Sequence, residues 1–209
     1  YLYREAHHGA IYIHRNEEYH VESLDEEHRI VHVTGPFPWQ FRTDARPETT
    51  IDIVQREVER QVGQEGSSMH VALATLTVGE HYRIVRKLHA RDRSAAGTFP
   101  IDPELSRTMS TLGLVITFDR PVAYAAAHAI EHALLSMVPT EVLCSPRDLI
   151  GHTTMQGPPR IFLYDRNPDG LGFAERSFER IEGIILAASD RIAGCGCSRS
   201  DGCPDRKST

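Results

Sequence analysis

The chain has no apolar run long enough to span a bilayer. Its most hydrophobic stretch, residues 124–138, is interrupted by His128, Glu131 and His132, and a spanning helix needs about 20 consecutive apolar residues. The amino terminus lacks the basic, then apolar, then small-residue order of a signal peptide. Together these absences predict a cytoplasmic protein without a membrane partner. Cysteine is scarce as well, with four in 209 residues, too few for a secreted disulfide scaffold. Net positive charge is missing: the formal charge is −6. That excludes non-specific nucleic-acid binding by the whole surface, because phosphate binding needs a positive field. Any such contact has to come from a local patch. The first residue is Tyr1 rather than Met, as expected of a piece of a larger protein or a processed product.

The length allows one large or two small domains. Residues 9–34 alternate in short β-rich runs separated by turn formers at Asn16-Glu17 and Asp25-Glu26-Glu27, the pattern of an antiparallel meander. Gly35-Pro-Phe-Pro-Trp39 breaks that sheet. Trp39 and Phe41 suit either sheet packing or a stacking platform for a base. Residues 50–62 begin with strand alternation and end with helical spacing, whereas 69–78 and 81–88 read as a hairpin about Gly79-Glu80. Loops are predicted at 94–98 and at Asp102-Pro103, then a buried strand over 112–118.

A domain boundary is placed at Asp119-Arg-Pro. Beyond it the pattern predicts a helix over 122–138 stopped by Pro139, strands over 141–144 and 160–164 with a polar loop between, and a second long helix over 172–193 ending at Gly194. The fold class is therefore α+β, with a β-rich part over 1–118 and a helix-rich α/β part over 119–209.

Four sets of residues carry chemistry. Cys144, Cys195, Cys197 and Cys203 cluster late in the chain, a metal pattern more than a disulfide pattern; four thiolates would close a structural zinc site and clamp the polar tail to the core. His128-Ala-Ile-Glu131-His132 puts two imidazoles one turn apart on a helix, with Glu131 beside them, the His-x-x-Glu-His arrangement of inverted zinc proteases. Asp148, His152, Asp165 and Glu175 are available as further polar partners, and a polar helix face that bonds to neighbouring loops is the competing reading. Asp165 to Glu175 reads strand, Gly-containing turn, helix, which suits an anion at the helix start or simply close packing; it lacks the Gly-Lys-Ser/Thr of a nucleotide P-loop. Arg83, Arg86, Lys87, Arg91 and Arg93 form the most basic stretch, suited to a phosphate backbone or to a charged strand edge.

The blocks Ala126-Ala-His-Ala-Ile-Glu-His-Ala-Leu-Leu-Ser136, Val142-Leu-Cys-Ser-Pro-Arg-Asp148, Ile161-Phe-Leu-Tyr-Asp165 with Pro168-Asp-Gly-Leu-Gly-Phe-Ala-Glu-Arg176, Cys195-Gly-Cys197 and Gly202-Cys-Pro204 resemble, in that order, the carboxy-terminal zinc-binding (MZB) domain of MrfA/Hrq-type superfamily 2 DNA helicases. Gly9-Ala-Ile-Tyr-Ile-His-Arg15 and Tyr19-His-Val-Glu-Ser-Leu-Asp25 resemble the segment preceding that domain. The resemblance implies an accessory module of an ATP-dependent, 3′-to-5′ DNA helicase used in DNA repair. Such a module would hold structural zinc, brace the motor domains of its own parent chain and guide DNA, single-stranded. It also implies Cys144, Cys195, Cys197 and Cys203 as ligands. The family tail runs Gly-Cys-Pro-x-Cys, but Arg206 stands at the last of these positions, which places weight on Cys144 as the fourth thiolate. No helicase motor is present in these residues, so the chain is not expected to be an enzyme by itself. The competing expectations are a zinc hydrolase built on His128, Glu131, His132 and Asp165, and a protein-interaction scaffold.

Overall fold

Short alternating runs at the amino terminus form the expected meander. The structure, a computed structural model, describes residues 2–64, 67–154 and 157–196. Strands β1 (Ile11–His14), β2 (Glu17–Asp25) and β3 (Ile30–Thr34) make a three-stranded antiparallel sheet in the order β1-β2-β3. Arg15 and Asn16 at the first turn, and Arg29 at the second, take positive φ, as tight connections between twisted strands require. A four-residue helix, α1 (Leu2–Glu5), precedes them.

The next strands are longer than their sequence punctuation suggests. They are β4 (Phe41–Ala45), β5 (Glu48–Gln64), β6 (Ser67–His89) and β7 (Ala95–Phe118). β4 pairs antiparallel with the end of β6, from Phe41 opposite His89 to Ala45 opposite Val85, and β6 also pairs with β5 and β7. Three sequence expectations are corrected here. The helical spacing at the end of 50–62 is strand throughout. Gly79-Glu80 is no turn but the interior of β6, where a Cβ on Gly79 would come within 2.6 Å of Thr50 Oγ1; the glycine serves close approach, which leaves the same trace in a sequence as a turn does. Residues 94–98 and Asp102-Pro103 mostly belong to β7. Pro103 lies in a stretch of β7 that β9 (Ile161–Asp165) does not reach, since the two pair only over Gly113–Ile116, and proline within a sheet is found where one side of a strand is open.

The chain forms two compact units, Tyr1–Ile51 with Val78–Thr108, and Asp52–Thr77 with Met109–Thr209. In the first, Ala45, Tyr82, Val85 and Ile101 make a small core. Asp119, where the sequence suggests a boundary, is tied to the start of β6, in the second unit, by Ser68 Oγ and by His70 Nε2 at 2.7 Å.

The second unit holds the main core. Here α2 (Tyr124–Glu141), α3 (Phe173–Glu179) and α4 (Ile181–Ala193) accompany β8 (Leu149–Thr153), β9 and the end of β7. β9 lies between β7 and β8 and all five of its residues are buried, so it reads as an unbroken apolar run and not as an alternation. Its Ile161 and Leu163 share one core with Leu134, Val138, Phe178, Ile181 and Ile184; burying a side chain such as Leu134 contributes about 1.5–3 kcal/mol.

Pro139 lies inside α2 and does not stop it. A proline three positions from the end removes one N–H and leaves the last turn intact, with Val142 N–H donating to Val138 O at 2.8 Å. The strand expected over 141–144 is the end of this helix and a bend, while β8 occupies part of the expected polar loop. The single helix expected over 172–193 is two, separated at Arg180 (φ −102°, ψ 10°). No helix among the described residues is long and apolar enough to cross a membrane.

Two buried groups control this fold. Asp165, wholly buried at the end of β9, accepts hydrogen bonds from the backbone N–H of Leu171 (2.5 Å), Gly172 (3.0 Å), Phe173 (3.3 Å) and Ala174 (2.8 Å), satisfying donors that a helix start leaves without intrahelical partners. Asp165→Ala is expected to lower stability by at least about 3 kcal/mol, since each orphaned buried donor costs about 1–3 kcal/mol; urea midpoints check this, and a midpoint equal to that of the parent chain would contradict it. His7, also wholly buried, has its pKa lowered by that burial. Its folded pKa therefore lies below the unfolded value, so the unfolded chain takes the proton first and stability falls as pH drops below about 6.5. Thermal melts between pH 7.5 and 5 should show that decline, and His7→Gln should flatten part of it.

Candidate metal and nucleic-acid sites

The apolar stripe that docks α2 onto β8 leaves three polar side chains together. His128, Glu131 and His132 lie at i, i+3 and i+4, and one ligand atom from each falls within 4.8 Å of the others. Glu131 is buried on the core side. It can be there because Gly151, facing it from β8, has no side chain: a Cβ at that position would sit 2.5 Å from Glu131 Oε1. Thr153 Oγ1 donates to Glu131 Oε2 at 2.5 Å, and His128 Nδ1 lies 3.2 Å from the same oxygen. An ionised carboxylate only accepts, so His128 Nδ1 carries the proton.

His128 Nε2 then faces His132 Nε2 at 3.2 Å. Burial lowers the pKa of His132 despite the charge of Glu131, and burial likewise lowers that of His152. Thr153 and Gly151 were missed by sequence reasoning because Gly and Thr in a polar stretch look like loop; the alternation Leu149, Gly151, Thr153 on one side of a strand was the available signal.

The other members of the expected polar cluster go elsewhere. Asp165 is committed to the α3 amides, so the helix start that could hold an anion is already filled by the protein's own carboxylate. Asp148 accepts from Ser145 N–H at 2.7 Å in the turn after α2. Glu175 lies in the first turn of α3, where a negative charge suits the helix dipole. Among the described residues, the metal-type group comprises only His128, Glu131 and His132.

Of the four cysteines, Cys144 and Cys195 are described, both half-buried, whereas Cys197 and Cys203 lie outside the described residues. Cys144 follows the end of α2. Burial, then the charges of Asp148 and Asp165, push its thiol pKa up. The donor type fits zinc: the acidic field that holds a lone thiol protonated also attracts a dication, and binding the dication would release the proton.

The basic stretch is not a uniform patch. Arg83 is paired with Glu48 (2.6 Å) and Glu104 (2.8 Å), and Arg86 with Asp44. The Lys87 ammonium sits 4.0 Å over the Phe41 ring. Arg91 and Arg93 are exposed at the turn between β6 and β7, and among the described residues no carboxylate pairs with either. Trp39 stacks on His20 with centroids 5.4 Å apart. With Phe41, Phe99 and Lys87 they line a cavity of about 490 Å³ in the first unit, so the two aromatics singled out in the sequence do share one concave surface.

Comparison with known proteins gives these sites a context. The family model described as the MrfA Zn-binding domain (MZB) matches residues 130–205. The uncharacterized ATP-dependent helicase YprA of Bacillus subtilis is 30% identical over 210 residues, covering 95% of this chain and 27% of that protein. The ATP-dependent helicase hrq1 of Schizosaccharomyces pombe is 22% identical over 218 residues, covering 95% of this chain and 20% of that protein. The chain thus spans about a fifth to a quarter of the length of these curated relatives. Among solved structures, the DUF1998 helicase MrfA bound to DNA superposes with a TM-score of 0.63 at 28% identity, over 97% of this chain and 28% of that one. The likeness agrees with the mixed α+β architecture; residues 130–205 match the family of the MrfA Zn-binding domain, and the chain as a whole is homologous to part of these helicases.

Proposed function

We propose that this chain is the zinc-stabilised accessory module of an ATP-dependent DNA helicase. The observation that carries the reading is an alignment with a helicase along nearly the whole chain, together with a matching fold in a helicase bound to DNA. In this reading residues 119–209 are the zinc-binding domain, supported by the family match inside them, and residues 1–118 are the β-rich accessory region. Zinc held by Cys144, Cys195, Cys197 and Cys203 clamps the tail to the body. The module braces the motor domains of its parent chain and guides single-stranded DNA during 3′-to-5′ translocation in DNA repair, in the cytoplasm. Its own residues bind and orient, and none of them turns over a substrate.

The hydrolase reading has less support. A general base must reach a water or substrate proton, and Glu131 is buried, with Oε2 engaged by Thr153 and facing His128. Asp165, the further ligand that reading needs, is committed to four backbone amides.

DNA guidance is assigned to Lys87, Arg91 and Arg93, whose charges are not neutralised by an ion pair among the described residues. Arg83 and Arg86, named with them from the sequence, contribute less because carboxylates already neutralise them. Binding of the chain to a labelled single strand, measured by fluorescence anisotropy across salt concentrations, should weaken in Arg91→Ala/Arg93→Ala. The log–log salt slope should fall by roughly 1.4, about 0.7 for each lost phosphate contact, while Arg83→Ala should leave the slope nearly unchanged. An unchanged slope in the double variant would remove these residues from the DNA path.

A further inference from the structure

We infer that α2 carries a metal site separate from the cysteines, in which His128 Nε2 and His132 Nε2 chelate a divalent transition metal while Glu131 orients His128 and does not bind the ion.

The spacing is that of a chelate. In tetrahedral zinc with bonds of about 2.0–2.1 Å, two ligating nitrogens stand about 3.3 Å apart; the two Nε2 atoms are 3.2 Å apart, with the rings edge to face at 73°. The arrangement behind them also matches. A metal-ligating histidine commonly gives its other N–H to a carboxylate that is itself held in place. Here His128 Nδ1 faces Glu131 Oε2, the carboxylate is only 4% exposed, and Thr153 Oγ1 donates to the same oxygen. That chain of contacts directs the unprotonated Nε2 of His128 away from the core. Glu131 Oε2 is engaged from two sides, which assigns the carboxylate to orientation.

The site opens outward. The His128 side chain is 41% exposed, which leaves room for water or a further donor in the remaining coordination positions. Imidazole nitrogen selects zinc, copper, nickel or cobalt over magnesium or calcium.

Cys144 is not part of this cluster: among the described residues, the ligand atoms that lie within 4.8 Å of one another here are those of His128, Glu131 and His132. The inference does not depend on the helicase reading, because it uses only α2 and β8.

The test is a cobalt(II) titration of the full chain after its thiolate site has been loaded with zinc, followed by calorimetry and visible absorption. One further equivalent of cobalt should bind, with ligand-field bands and no sulfur-to-cobalt charge transfer. His132→Ala and His128→Ala should each abolish it, and Glu131→Gln should weaken it about 10- to 100-fold, the usual cost of losing an orienting partner. Circular dichroism reports whether each variant folds; if His132→Ala does not, His128→Ala, at a side chain 41% exposed, decides. No further equivalent, or an equivalent retained in either histidine variant, means that the two imidazoles only hydrogen-bond to each other and overturns the inference. Unchanged affinity in a folded Glu131→Gln chain overturns the role given to Glu131. Charge transfer from sulfur would instead report on the cysteines, so failure there is distinguishable from failure here.

Discussion

Four backbone amides converging on one buried carboxylate hold the carboxy-terminal unit together. Asp165 ends β9 and collects the N–H groups of residues 171–174, so the direction in which α3 leaves the sheet is set by a side chain of the sheet itself. α3 is only seven residues long, too short to be stable alone in water. It persists because its first turn is satisfied by Asp165 and because Ala174 and Phe178 are buried. α4 follows after one residue and places Ile181 and Ile184 in the same core as Leu134 and Leu163. Removing the carboxylate would therefore loosen more than a turn.

A second constraint acts within α2. There a buried glutamate is made tolerable by a glycine that yields space and a threonine that donates a hydrogen bond, both on β8. Buried carboxylates are costly unless partnered, so Glu131 ties β8 to α2. That explains why a His-x-x-Glu-His run need not signal hydrolysis: the carboxylate that a protease would use as a base is here directed into the fold, while the two imidazoles face each other toward the outside.

Several features were legible in the residues. Alternation showed the meander over 11–34; the alanine- and leucine-rich run showed α2; the ordered blocks from Ala126 onward showed the family. What misled was glycine and proline. Gly79 and Pro103 look like turns but sit within β6 and β7, since a glycine that permits close approach and a proline without a β9 neighbour leave the same local signature as a loop. Pro139 looks like a stop but falls in the last turn of α2, where little is lost. The basic stretch 83–93 looked continuous, yet Arg83 and Arg86 are neutralised by Glu48, Glu104 and Asp44, residues distant in sequence whose proximity only folding reveals. The polar cluster divides for the same reason: His128, Glu131 and His132 are local on one helix and do meet, while Asp165 is drawn off by amides that follow it in the chain.

The central claim is that zinc is held by sulfur and serves the fold. Zinc-edge X-ray absorption on the purified chain, with elemental analysis, tests it most directly. After dialysis that empties the two-imidazole site on α2, the account predicts about one tightly held zinc in an all-sulfur shell, lost together with folding in Cys144→Ser or Cys197→Ser. Zinc held only by nitrogen and oxygen, surviving those changes and vanishing with His128→Ala, would contradict it and return the hydrolase to the front.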